Sequence, residues 1–227
     1  MYGFDLYYLV LVVPALLLSM WAQFRVKSTF AKYSRMSNSR GLTGAAAARI
    51  LMEANGVRNV AIEEVAGSLT DHYDPGSRVL RLSRPVYAAA SVAAVGVAAH
   101  ETGHAIQHAR SYGPLVLRSA LVPVANIGSS IGPWLAVAGI IMSFPLLLNI
   151  GIILFAGAVA FYLITLPVEI NASTRALAAL RRANVLAADE LNGVRKVLTA
   201  AALTYVASAL MALMNLIRLV LLSRRRR

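Results

Sequence analysis

His100, Glu101 and His104 open the nine-residue stretch HETGHAIQH, and His108 closes it. On an α-helix each residue turns about 100°, so side chains four apart stack nearly above one another and aim at a common point. Neutral imidazole suits Zn2+, and a carboxylate one position beyond the first ligand can reach an activated water without ligating the ion itself. The spacing therefore predicts a zinc hydrolase site with His100 and His104 as ligands and Glu101 as general base. The rival reading, a helix that merely carries histidines, must accommodate the clustering of all four histidines between His72 and His108. The chain has no cysteine, which excludes structural disulfides and leaves imidazole and carboxylate as protein ligands. Along a continuous helix His108 stands about 12 Å from His100, whereas Zn–N bonds are about 2 Å. Ala105, Ile106 and Gln107 offer the chain no place to turn, so His108 is expected beside the site or in solvent, not on the metal.

These residues need a rigid helix under them. The run SVAAVGVAAHETGHAIQHARSY is alanine-rich with helical periodicity from about Ser91 and is expected to end near Gly113-Pro114. Its first half is small and apolar, which marks a core helix. Upstream, Thr43 caps a helix through GAAAARILMEAN that stops at Gly56, and a short strand follows around Val60 to Ile62. LTDHY and RVLRLS, joined through Asp74-Pro75-Gly76-Ser77, alternate apolar with polar residues and read as a β-hairpin. Its first strand carries His72 and Tyr73. Either of them, or Arg175, could donate to the oxyanion of a hydrolytic transition state, and ordinary strand packing explains the first two equally well. The same strand could align an extended peptide by β-augmentation.

The 227 residues are 58% hydrophobic and only 14% charged, too apolar for an ordinary soluble domain. Stretches from Leu6 to Phe24, Ser119 to Ser143, Leu146 to Leu166 and Val197 to Leu222 reach or approach the roughly 20 apolar residues that cross a bilayer. The first lacks a basic leading segment and reads as a retained anchor, not a cleaved signal. A net charge of +12 could suggest nucleic acid, but the cations flank hydrophobic segments: Arg25, Lys27, Lys32, Arg35 and Arg40 after the first, Arg175, Arg181 and Arg182 after the third. That is a topology signal, placing both loops in the cytoplasm and the N-terminus outside. Nucleic-acid binding is not expected, since no aromatics interleave the basic residues. Arg224 to Arg227 conflict with this topology if the last segment crosses, and Arg218 inside that segment leaves both readings open.

Spans two and three form a helical hairpin that returns the chain to its starting side, where Glu169 follows directly in LPVEINAS. Between Asp74 and Asp189 the only acidic residues are Glu101 and Glu169. Glu169 is either the third zinc ligand or an interfacial carboxylate balancing Arg175 or Arg181; isolated acids at a span boundary are costly when buried and often functional.

LTDHYDP, AAHETGHAIQH, LPVEINAS and AALTYVAS together resemble the YugP-like neutral zinc metallopeptidases, a bacterial membrane family, from about Asn38 to beyond Ser208. The resemblance implies zinc-dependent peptidase activity with His100 and His104 as ligands, Glu101 as catalytic glutamate and Glu169 as third ligand. A looser similarity to the membrane metalloproteases that include CAAX prenyl proteases implies the same role for Glu169. In that group an Ala-Asp pair follows the glutamate; here Ala172 is kept and Ser173 replaces the aspartate, which puts that aspartate's orienting role in doubt.

The expectation is a mainly α integral membrane protein of three or four transmembrane helices with a small α+β zincin-like catalytic domain. Its parts are an anchor (1–24), a membrane-associated peptidase domain (25–118), a transmembrane hairpin (119–168), a third-ligand helix and basic loop (169–196) and a C-terminal hydrophobic helix with basic tail (197–227). The expected function is a zinc metalloendopeptidase acting on membrane or juxtamembrane protein substrates, with the lipid bilayer and other membrane proteins as partners and a cytoplasmic catalytic domain. A metal-stabilised scaffold or adaptor without turnover is the alternative.

Overall fold

The computed structural model describes residues 6–224. Residues 1–5 of the expected anchor and 225–227 of the basic tail lie outside the described residues. A π-helical turn, Tyr8–Val12, leads into α1 (Val13–Ser34); Pro14, which cannot donate back to the Val10 carbonyl, sits at the join. α2 (Gly44–Ala54) starts where the Thr43 hydroxyl accepts the Ala46 N–H at 3.2 Å. It gives way at Gly56, whose φ of 69° suits glycine.

Three strands follow: β1 (Ala61–Val65), β2 (His72–Asp74) and β3 (Val79–Ser83). The expected hairpin forms, with β2 antiparallel to β3 and Tyr73 opposite Leu80. Asp74 builds its turn, Oδ1 accepting the N–H groups of Gly76 at 2.9 Å and Ser77 at 3.3 Å. β1 is longer than the strand expected at Val60 to Ile62, and it pairs parallel with the other side of β3, giving the order β1-β3-β2. Alternation along one strand carries no information about a parallel partner, so this pairing was not legible. Central β3 buries Val79, Leu80 and Leu82, whereas edge strands β1 and β2 do not bury a residue fully.

After a single turn, α3 (Arg84–Tyr87), comes α4 (Val92–Ala109), whose N–H of Ala94 is capped by the Ser91 hydroxyl at 3.1 Å. α2, α3, β2 and β3 all contact it. Its alanines and valines from Val92 to Ala99 are buried except Val97, as a core helix requires. α4 stops at Ala109, before Gly113-Pro114. Those two residues instead open α5 (Gly113–Ser130), because a proline needs no N–H partner in a first turn. α6 (Gly132–Ile141) follows a break at Ile131, and a turn through Ser143 leads to α7 (Pro145–Ala183). α8 (Ala188–Arg224) completes the described chain.

Two boundaries drawn from hydropathy are overrun. α7 continues past Leu166 to Ala183, so the expected third-ligand helix is continuous with the third span, and α8 begins at Ala188 instead of Val197. Hydropathy marks where apolar side chains end, not where the hydrogen-bonded backbone ends. Past Glu169, α7 is amphipathic, burying Ala172, Ala176, Ala179 and Leu180 at helical spacing.

Among the described residues, four helical stretches are long and apolar enough to cross a membrane: Tyr8–Ser34, Gly113–Ile141, Pro145–Ala183 and Ala188–Arg224. The protein is a mainly α membrane protein with a small α+β portion. It divides into two compact units. One comprises the N-terminal helix to Gln23, Val116–Pro167 and the chain from Leu203, with a core around Phe155, Ala158 and Leu219. In it Arg218 stacks over the Tyr8 ring, 5.2 Å from its centroid. The other, Phe24–Leu115 with Val168–Ala202, holds the sheet and α4, with a core around Leu51, Leu80, Val95, Leu180 and Val194. Every residue of the candidate site belongs to this second unit.

Candidate metal centre

α4 presents His100 and His104 on one face, their rings 4.9 Å apart and nearly perpendicular. α7 brings Glu169 to them: Oε2 lies 3.1 Å from Nε2 of His100 and 3.5 Å from Nε2 of His104. One ligand atom from each residue falls within 4.8 Å of the other two. A tetrahedral ion with bonds of about 2 Å spaces its ligands about 3.3 Å apart, so the carboxylate-to-imidazole distances suit such an ion. Burial points the same way. Glu169 is 2% exposed, and a carboxylate withdrawn from water needs positive charge beside it.

Glu101 is buried beside His100 without joining the cluster. The backbone N–H of Tyr73 in β2 donates to its Oε2 at 3.0 Å. Burial pushes its carboxyl up to about 7; His100 and the Tyr73 N–H oppose the rise, and the negative charges of Glu169 and Asp71 add to it. A carboxyl poised near neutrality suits proton transfer in both directions. Asp71, itself raised by burial, accepts hydrogen bonds from the Ser83 N–H and hydroxyl, tying the start of β2 to the end of β3.

His108 stands apart from the cluster. α4 runs unbroken from His100 to His108, and the His108 Nδ1 meets the Tyr73 hydroxyl at 2.8 Å. Tyr73 thus touches α4 twice, by its amide at Glu101 and by its hydroxyl at His108. His72 is exposed and bonds the Thr70 carbonyl through Nδ1 at 2.9 Å. Arg175 donates from Nε to Oδ1 of Asn171 at 2.6 Å and lies over the Tyr112 ring.

Of three residues behind the cluster, Gln107 and Asn171 were not singled out from the sequence, whereas Ser173 was. Ser173, where a related motif carries aspartate, puts its Oγ 3.1 Å from the Nδ1 of His100; the exchanged position thus contacts a histidine of the cluster. Gln107 faces the Nδ1 of His104 through Oε1 at 3.0 Å, and its Nε2 donates to Oδ1 of Asn171 at 3.0 Å. Gln107 follows His104 by three residues and so shares its helix face, a signal available in the sequence. The part of Asn171 depends on how α7 meets α4, which periodicity does not show.

The cluster has the donor set of a zinc site: two imidazoles and one carboxylate. The profile of a family described as "putative neutral zinc metallopeptidase" matches residues 8–224. The chain is 52% identical over 215 residues to the protein named "Putative membrane protease YugP" from Bacillus subtilis (strain 168), covering 95% of this chain and 96% of that one. No solved structure matches. Matched along nearly its whole length, the chain belongs to the family described as "putative neutral zinc metallopeptidase".

Proposed function

We propose that the protein is a membrane-bound zinc endopeptidase that hydrolyses peptide bonds in membrane or juxtamembrane protein substrates. The observation that carries this reading is the convergence of Glu169 on the two histidines, with Glu101 one position round the helix from His100. His100, His104 and Glu169 would hold the ion. When bound there, Zn2+ would supply Lewis acidity, polarising a scissile carbonyl and lowering the pKa of water toward about 7. Glu101 takes a proton from the water that attacks the carbonyl carbon and delivers it to the amine nitrogen as the C–N bond breaks, leaving a free carboxylate and a free amine. The Tyr73 N–H fixes the Glu101 carboxylate in place for both transfers.

Two features support a substrate at the membrane. α4 leads within four residues into the apolar stretch Gly113–Ile141, and Glu169 itself lies in the apolar helix Pro145–Ala183. The cationic flanks after the first and third spans support a cytoplasmic catalytic unit.

Glu101→Gln tests the mechanism. Zinc content and the fold are expected to persist while peptide cleavage falls by at least about 100-fold, the usual scale of a lost acid–base group. Full cleavage by a zinc-loaded Glu101→Gln protein rejects the mechanism. A protein in which zinc removal unfolds the chain but Glu101→Gln alters no cellular phenotype is the metal-stabilised scaffold.

A further inference from the structure

Gln107 is 0% exposed, and no step of the proposed hydrolysis uses it. A side-chain amide in such a place has two ends of similar shape and opposite hydrogen-bonding character, and its partners decide which end points where. One end lies 2.8 Å from the backbone carbonyl of Val168. A carbonyl has no proton, so that end is the NH2 group. The same end lies 3.0 Å from Oδ1 of Asn171. Asn171 is fixed in turn, because Nε of Arg175, which has a proton and no lone pair, donates to that oxygen at 2.6 Å.

The other end, Oε1, therefore has only lone pairs to offer, and it lies 3.0 Å from Nδ1 of His104. Nδ1 must carry the proton. In neutral imidazole this leaves the lone pair on Nε2, the atom facing Glu169. His100 has no such constraint: its Nδ1 meets the hydroxyl of Ser173, which can donate or accept. Gln107 also holds the second helix, since Val168, whose carbonyl it binds, directly precedes Glu169.

We propose that Gln107, locked by the Val168 carbonyl and by Asn171 and Arg175, is a positioning residue that sets the metal-binding tautomer of His104 and ties the histidine helix to the Glu169 helix. This rests on the zinc reading above. Outer partners of this kind change metal affinity by about 10–100-fold when removed.

The test uses full-length protein in detergent, with zinc affinity read by competition against a chromophoric chelator and the His104 tautomer read from 15N shifts of the zinc-loaded protein. Gln107→Met keeps length and bulk but removes the acceptor; its zinc dissociation constant is expected to rise about 10–100-fold. Asn171→Ala leaves the acceptor and the Val168 bond but removes the second clamp on the amide, and a rise of several-fold is expected. Because both act through one chain of bonds, the double variant is expected to bind zinc no more weakly than Gln107→Met alone. Affinity within twofold of wild type in Gln107→Met, additive losses, or a zinc-loaded wild type with the proton on Nε2 of His104 overturns the proposal. If Gln107→Met does not fold, Asn171→Ala decides alone, unchanged affinity counting against the relay. Zinc affinity that survives His104→Ala instead rejects the metal centre itself, which separates the two failures.

Discussion

Gly103 faces the backbone of Ala172 with no side chain between them: a Cβ on Gly103 would collide with the Ala172 carbonyl oxygen. This contact lies inside the histidine motif, and it lets α7 approach α4 closely enough for Glu169 to reach both imidazoles. Gly103→Ala sets two effects against each other. Alanine is the better helix former by about 1 kcal/mol, but overpacking costs about 1–3 kcal/mol, and a backbone carbonyl cannot rotate away as a side chain could. The clash is expected to win, lowering thermal stability and weakening zinc binding by at least tenfold. A Gly103→Ala protein that melts higher and binds zinc as tightly as wild type would show that the close approach is dispensable.

The unequal placement of His108 and Glu169 gives a second test. Glu169 Oε2 lies within 3.5 Å of both imidazoles, while His108 is engaged by the Tyr73 hydroxyl. Metal analysis of purified protein is expected to find one zinc per chain in wild type and in His108→Ala, and little in Glu169→Ala. Zinc lost from His108→Ala alone would reverse the ligand assignment.

His100, Glu101 and His104 were legible because their relationship is local: four residues on one helix fix the geometry whatever the rest of the chain does. The β2–β3 hairpin was legible for the same reason, since Asp74 to Ser77 encode their own turn. Glu169 could be nominated by scarcity, as one of two acids in a long stretch, but its meeting with the histidines depends on the packing of α7 against α4. The parallel pairing of β1 and the roles of Gln107 and Asn171 lie further out of reach, because they require knowing which face of one element meets which face of another. The third-ligand helix was expected, but its continuity with the third span and the start of α8 at Ala188 were not, because hydropathy falls there while helical burial continues.

Asp74 supplies a pH test away from the metal centre. The hydroxyl of Ser77, the guanidinium of Arg81 and two turn amides hold its carboxyl well below the usual range. A group bound more weakly to protons when folded contributes stability above its unfolded pKa, near 3.8, and loses it as pH falls through the lower folded value. Asp74→Asn keeps an oxygen for the turn and loses the charge. At pH 7 it is expected to lower stability by about 0.5–1 kcal/mol, a modest figure because the side chain is partly exposed and screened. The gap is expected to narrow below pH 4, and thermal melts of both proteins across that range would show it. A gap that widens in acid contradicts the assignment.

Topology provides the last test, and the lack of cysteine makes it clean, since any introduced thiol is unique. The cations at Arg25 to Arg40 and Arg175 to Arg182 favour the cytoplasm for both segments. With four crossings, α8 then carries Arg224 to the opposite face from the catalytic unit, against the charge rule. The length and apolarity of α8 oppose the preference of its terminal arginines. The part of α8 beyond the catalytic unit, residues 203–224, is about 33 Å long, enough for the roughly 30 Å hydrocarbon core, so its length favours crossing. Single cysteines at the exposed positions Arg40, Arg182 and Arg224 can be probed in intact cells with a membrane-impermeant maleimide. Arg224→Cys is expected to label, and Arg40→Cys and Arg182→Cys only after lysis. Labelling at Arg40→Cys in intact cells would place the catalytic unit outside, and protection at Arg224→Cys would mean that charge overrides length and α8 does not cross.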